Sequence, residues 1–195
     1  MAVSYADNPN HFINFPLTQF DGFVLNYKGL QSQLLDVGVD CKIQTAPHIS
    51  LTMLDIQPED YISVDVAIQE AIADMHWGEG FQIKFDNPHI LGRCLVLDVK
   101  GIQKLHDDLV NHIRAKGCVV DQSRKWIGHC TIAQFLDAAL SIKENVDFIN
   151  CMQFNYKITI NPSSPARLEI VKLGAEKKDG FYETVVSHWM GIRHE

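Results

Sequence analysis

The sequence predicts an α+β fold, a single compact bilobal domain spanning all 195 residues. Three observations carry that expectation. Apolar periods of two and of about 3.6 residues interchange along the chain, so strands and helices are mixed throughout. The two halves repeat one order of features. Each half also closes that order with the same short motif: a histidine, an apolar residue and a hydroxyl residue.

The elements follow in order. Phe12 to Phe15, before Pro16, reads as a first strand. From Asp21 to Val37, Phe23, Val24, Tyr27, Leu30, Leu34 and Leu35 recur at helical spacing, and Gly38 stops the helix. Cys41 to Leu54 reads as a strand, and Pro58 to Met75 as a second helix with Val64, Ile68, Ala71 and Ile72 on one face. Trp77-Gly78-Glu79-Gly80 is a turn. Phe81 to Phe85 and Arg93 to Val99 read as strands around a loop containing Pro88. Ile102 to Lys116 is a third helix ended by Gly117, and Trp126 to Phe135 a further strand. A weaker helix covers Leu136 to Asn150. Strands at Gln153 to Ile160, Arg167 to Leu173 and Phe181 to Trp189 follow, divided by turns at Asn161-Pro162-Ser163-Ser164-Pro165 and Lys177-Lys178-Asp179-Gly180.

The repeat is visible in that order. One half runs helix, Gly38, Cys41, a polar link, His48-Ile49-Ser50; the other runs helix, Gly117, Cys118, a polar link, His129-Cys130-Thr131. No linker of low complexity divides them, so two similar lobes are expected to offer one motif each to a shared cleft. Strand side chains alternate faces, so His48 and Ser50 share one face, as do His129 and Thr131. Nine histidines supply about one such match by chance, so the shared setting carries the argument rather than the bare motif.

Two imidazoles and two hydroxyls on one surface suit phosphodiester chemistry. One ring can take a proton from the attacking oxygen while the other protonates the leaving oxygen. Ser50 and Thr131 can donate hydrogen bonds to the non-bridging oxygens, where charge grows in the transition state. A neighbouring ribose hydroxyl as nucleophile gives a cyclic phosphate; water as nucleophile makes a cyclic phosphate a candidate substrate instead. Read singly, a histidine in an apolar strand is more often structural, bonded to a backbone carbonyl. A serine nucleophile is disfavoured because there is no Gly-x-Ser-x-Gly elbow. Zinc is disfavoured because no Asp or Glu stands at a recognisable ligand spacing from His48 and His129. No cofactor is expected. His11, His76, His89, His106, His112, His188 and His194 read as background.

Composition narrows the partners. Net charge is −7, with no block of Lys or Arg, so long duplex nucleic acid is not an expected partner, although a short oligonucleotide in a local pocket is. Lys42, Arg93, Arg124 and Lys125 are the candidates for local positive charge, and Phe181 and Tyr182 for a nucleobase pocket. No apolar run is long enough for a bilayer and no signal peptide is visible. The five cysteines, at 41, 94, 118, 130 and 151, form no Cys-x-x-Cys pair and read as free thiols of a reducing cytosol.

Two His-x-Ser/Thr motifs on strands resemble the 2H phosphoesterase superfamily. Longer strings are more specific: Asn10-His11-Phe12-Ile13-Asn14-Phe15-Pro16-Leu17, Ala46-Pro47-His48-Ile49-Ser50, Asn87-Pro88-His89-Ile90-Leu91-Gly92-Arg93-Cys94, Asp121-Gln122-Ser123-Arg124, His129-Cys130-Thr131-Ile132-Ala133-Gln134 and Asp179-Gly180-Phe181-Tyr182. These are similar to segments of the accessory 2′,5′-phosphodiesterases of betacoronaviruses related to mouse hepatitis virus. The resemblance implies two pseudo-symmetric lobes of antiparallel sheet with outer helices around a central cleft. It implies metal-independent degradation of 2′,5′-oligoadenylate, which blocks activation of RNase L and antagonises the interferon response in the host cell cytoplasm. It assigns His48 and His129 as the catalytic pair and Ser50 and Thr131 as the phosphate-binding pair. Phe181, Tyr182 and Arg93 are carried as candidate substrate-binding residues. Proteins of this family continue past 195 residues, so the chain is expected to stop after its catalytic domain. Two other readings stand beside this one: a 2′,3′-cyclic phosphodiesterase acting on RNA ends, and a non-catalytic module that binds an oligonucleotide or a host protein.

Overall fold

The computed structural model describes residues 9–75, 80–120, 125–176 and 181–191. The expected turn at Trp77–Glu79, His76, the segment Asp121–Arg124, the turn at Lys177–Gly180 and His194 lie outside the described residues.

Among the described residues ten strands and four α-helices appear in this order: β1 (His11–Pro16), α1 (Asp21–Asp36), β2 (Cys41–Ile43), β3 (His48–Asp55), α2 (Tyr61–Ala73), β4 (Phe81–Leu91), β5 (Cys94–Lys100), α3 (Gln103–Ala115), β6 (Val119–Val120), β7 (His129–Phe135), α4 (Ala138–Cys151), β8 (Tyr156–Ile160), β9 (Ala166–Glu176) and β10 (Tyr182–Met190). The strands form one curled antiparallel sheet in the order β10-β9-β1-β3-β7-β5-β4-β8. The short β2 crosses to pair with β7, and β6 crosses to pair with β3. The architecture is thus α+β with two matched halves, joined edge to edge in one sheet.

The repeat seen in the sequence is a pseudo-two-fold in space. β1-α1-β2-β3 in one half corresponds to β5-α3-β6-β7 in the other. Each first helix buries an apolar stripe: Phe23, Tyr27, Leu30 and Leu34 on α1, and Leu105, Leu109, Val110 and Ile113 on α3. Both helices end alike. Gly38 and Gly117 take φ of 75° and 82°, and the following residues bond back to Leu34 and Ile113. That left-handed residue satisfies the last carbonyls and turns the chain towards the sheet, and only glycine adopts it without strain.

Two boundaries differ from expectation for identifiable reasons. The expected strand from Cys41 to Leu54 is interrupted at 44–47, where the chain leaves β7 and joins β1. Conversely, Pro88 does not break β4, which runs through it with an irregularity between Phe85 and Pro88. The missing N–H is harmless there because β8 pairs with β4 only as far as Phe85.

Candidate active site

β3 and β7 meet at the middle of the sheet through a single paired position, Ile49 opposite Cys130. Both side chains are fully buried beneath the sheet. Burial also pushes the Cys130 thiol far above its ordinary value, so it is no nucleophile. The alternation then turns His48, Ser50, His129 and Thr131 to the opposite, concave face, where all four are half-buried. In this antiparallel register His48 comes next to Thr131, and Ser50 next to His129.

The two imidazoles are held in the same way. His48 Nδ1 lies 2.9 Å from the carbonyl of Ala46, and His129 Nδ1 lies 2.8 Å from that of Ile127. A carbonyl only accepts, so each Nδ1 carries the proton and donates it. Chemistry then falls to each Nε2, which has a lone pair when the ring is neutral and is an N–H donor when it is protonated. The structural reading of each histidine and the catalytic one are therefore compatible, since the backbone bond fixes the tautomer that a general base needs.

A second matched feature was not legible in the sequence. β1 pairs Ile13 with Thr52 but Asn14 with Ser50, so Leu51 is an extra residue. β5 pairs Leu95 with Ala133 but Val96 with Thr131, so Ile132 is an extra residue. Each motif is thus followed at once by a β-bulge, a device that re-aims side chains beside a site. The loosened carbonyls are met by side chains. Trp126 Nε1 donates to Ser50 O at 3.0 Å, and Tyr27 Oη lies 2.7 Å from Thr131 O. His106 Nδ1 lies 2.6 Å from Leu51 O, and Gln31 Nε2 donates to Ile132 O at 3.0 Å. Tyr27 and His106 occupy the same place relative to Gly38 and Gly117. Burial raises the Tyr27 hydroxyl well above its usual range, and burial lowers His106 against the raising effects of the Leu51 carbonyl and Asp107. Trp126, stacked on His106 with ring centroids 4.3 Å apart, is part of this support.

The surroundings of the two histidines are not matched. On the His48 side a cleft of about 320 Å³ opens, lined by Asn14, Arg167, Glu169, Phe181, Tyr182 and Thr184 among others. Tyr182 stands edge-on to both His48 and Phe12, at 5.4 and 4.8 Å between centroids. On the His129 side, Asp98 lies opposite His129 in the register, and His89 Nε2 is 3.6 Å from the Asp98 carboxylate.

The structure therefore brings together His48, Ser50, His129 and Thr131 on one face, with Phe181 and Tyr182 beside His48. Arg93 stands elsewhere. Its guanidinium donates to the carbonyls of Phe135 and Leu136, beyond the end of β7 farthest from His129. It fastens a strand end and does not line the cleft. Lys42 and Lys125 are exposed; Arg124 is outside the described residues. Arg167, Glu169 and Asn14 were missed. The available signal was alternation: Arg167 and Glu169 flank Leu168 and face away from the buried Leu168 and Ile170. The remaining described histidines serve the helical side: His11 between Asn10 and Tyr61, His112 between Glu70 and Asp74, and His188 at 3.0 Å from Asp65. Among the described residues no group of three or more His, Cys, Asp or Glu side chains is arranged to hold a metal ion.

Comparison with known proteins finds relatives in sequence and in fold. The family model described as Coronavirus NS2A protein matches residues 4–194. Non-structural protein 2a of bovine coronavirus strain LY-138 is 89% identical over all 195 residues, which span 70% of that protein. Its counterpart in human coronavirus OC43 is 88% identical over the same span. Among solved structures, the MHV ns2 PDE domain is 50% identical and superposes with a TM-score of 0.70, over 86% of this chain and 100% of that one. E. coli LigT complexed with 3′-AMP (13% identity, TM-score 0.63) covers 93% of this chain, 98% of its own. TT0787 of Thermus thermophilus (12% identity, TM-score 0.64) covers 95%, 100% of its own. Both share the fold, which is of the 2H phosphoesterase type.

Proposed function

The chain belongs to the coronavirus NS2A protein family, and on that premise we propose that it is a 2′,5′-phosphodiesterase that degrades 2′,5′-oligoadenylate without a metal. The coarser part, a phosphodiesterase, is what the family and the half-identical PDE domain support. The observation that supports a histidine-pair reaction is the matched pair of imidazoles on one face, each with Nδ1 bonded to the backbone carbonyl two residues before it so that the chemistry falls to Nε2; the 2′,5′ linkage and the oligoadenylate rest on the likeness to the family.

The neutral ring takes the proton of the attacking oxygen at its Nε2. The protonated ring gives its Nε2 proton to the leaving 5′ oxygen as the P–O bond breaks. When the neighbouring 3′-hydroxyl attacks, the products are a 2′,3′-cyclic phosphate and a free 5′-hydroxyl. When water attacks, the phosphate stays as a monoester on the 2′ oxygen. Ser50 and Thr131 donate to the non-bridging oxygens through both routes, and the bulges behind them keep their hydroxyls aimed. The pseudo-two-fold makes the two histidines interchangeable in geometry; the one-sided aromatic wall sets the direction in which substrate enters. Arg167 supplies positive charge at the cleft in a chain of net charge −7. Degrading 2′,5′-oligoadenylate in the host cytoplasm deprives RNase L of its activator, and antagonism of the interferon response follows from that loss.

The test is product analysis with 2′,5′- and 3′,5′-oligoadenylate, each with EDTA, beside His48→Ala and His129→Ala. Selective, EDTA-resistant loss of the 2′,5′ substrate that disappears in both variants is expected. Turnover of nucleoside 2′,3′-cyclic phosphate alone would point to the cyclic-phosphate reading. Binding without product would point to a sequestering module.

A further inference from the structure

Asn14 occupies the floor of the cleft between Ser50 and Glu169, its partners across the two neighbouring strands. Cross-strand partners share a face, so all three side chains belong to the concave side. Asn14 is 5% exposed. Its Nδ2 donates to Glu169 Oε2 at 3.2 Å. A carboxylate can only accept, so this bond fixes which way the amide points and turns Oδ1 away from Glu169. That Oδ1 is buried and has no hydrogen-bond partner among the described residues. Glu169 is itself engaged: Thr184 Oγ1 stands 3.5 Å from Oε2, and Arg167 Nη2 stands 4.0 Å from Oε1.

Buried polar atoms are bonded in the great majority of cases, and a buried acceptor left unpaired in a side chain that lines a cleft marks a place for a ligand's donor. The donor's identity follows from the surroundings. Phosphate oxygens are acceptors and are repelled by Oδ1. Phe181 and Tyr182 line the same cleft and suit the flat face of a base, which directs the edge of that base at the floor. The donors a base edge offers are its exocyclic amine and its ring N–H, and of the two the amine projects farther from the ring.

We propose that Asn14, oriented by Glu169, reads the exocyclic amine of a substrate base, so that the cleft prefers an amino-substituted purine to one without the amine. This rests on the phosphodiesterase reading only in taking a nucleotide as the ligand. It names a selectivity that the histidine pair does not supply.

The experiment titrates the protein with adenosine 5′-monophosphate and with purine riboside 5′-monophosphate, which differ only in the amine. Wild type, Asn14→Leu and Glu169→Gln are compared, with their melting curves. Turnover of 2′,5′-oligoadenylate is measured on the same preparations. Wild type is expected to bind the adenosine compound about 10-fold more tightly, the worth of one buried hydrogen bond. Asn14→Leu is expected to bring the two within about 2-fold, and Glu169→Gln to give an intermediate ratio by freeing the amide to turn. Equal affinities in wild type, no binding of either compound, or a preference that survives in Asn14→Leu would overturn the assignment. Should Asn14→Leu melt early, Glu169→Gln carries the decision. An intact amine preference with oligoadenylate left whole would count against the proposed function and leave this inference standing.

Discussion

The half around His48 and the half around His129 share their machinery and differ in their walls. Both end a helix on a left-handed glycine, place a histidine on a central strand, bond its Nδ1 to the carbonyl two residues back and follow the hydroxyl residue with a bulge. Among the described residues the first half adds an aromatic wall, Arg167 and the Asn14–Glu169 pair, and the second has Asp98 with His89. What repeats is what the proposed bond-breaking step needs twice, a proton carrier and a hydrogen-bond donor to the phosphate. What does not repeat is what the substrate, which has two different ends, needs once.

Substitutions can break that comparison. His48→Ala and His129→Ala are each expected to lower kcat by about 10²- to 10⁴-fold, the usual worth of general acid–base catalysis. Melting temperatures should stay close to wild type, because both rings are only half-buried. Steady-state kinetics check this, and a loss confined to one histidine would contradict the equivalence. Ser50→Ala and Thr131→Val come next, with about 10²-fold in kcat each and KM little changed. Unequal losses would mean that one hydroxyl alone meets the phosphate.

The unmatched walls predict smaller, one-sided effects. Tyr182→Ala is expected to raise KM about 10-fold by removing a face on which a base can stack, with kcat nearly kept. Arg93→Ala, at the far strand end, should leave kcat/KM within about 2-fold of wild type. The pair of KM values sharpens the placement of substrate on the His48 side.

Stability responds to pH through other histidines. Burial holds His11, His106 and His188 below their ordinary value of 6.5. Their neutral rings contribute stability that is present above 6.5. As pH falls below 6.5, the unfolded chain takes up protons that the folded chain resists, and stability declines. Thermal melts between pH 8 and pH 5 are expected to show a falling Tm on the acid side. A Tm that rises towards pH 5 would contradict the neutral state of these rings.

The sequence made the motifs legible because strand alternation and a repeated context left few places for His48 and His129 to go. Helices α1, α2 and α3 were legible from their apolar stripes, and α1 and α3 also from the glycines that end them. The bulges at Leu51 and Ile132 were hidden, since neither is marked by glycine; their cause is non-local, in the side chains of Tyr27, Gln31, His106 and Trp126. The crossed pairings of β2 and β6 were hidden because two- and three-residue strands carry no period. The place of Arg93 at a strand end was hidden because charge near a motif in sequence says nothing of which carbonyls it will meet. Arg167 and Glu169 lie far along the chain from either motif, and only the order of strands brings them to His48.

The central claim is that two imidazoles share the proton work. The direct measurement is the pH dependence of kcat/KM on 2′,5′-oligoadenylate for wild type and for the two His→Ala variants. A bell with two limbs, each lost in one variant, is the expected result. A wild-type profile without limbs, or one unchanged in shape by either substitution, would contradict it.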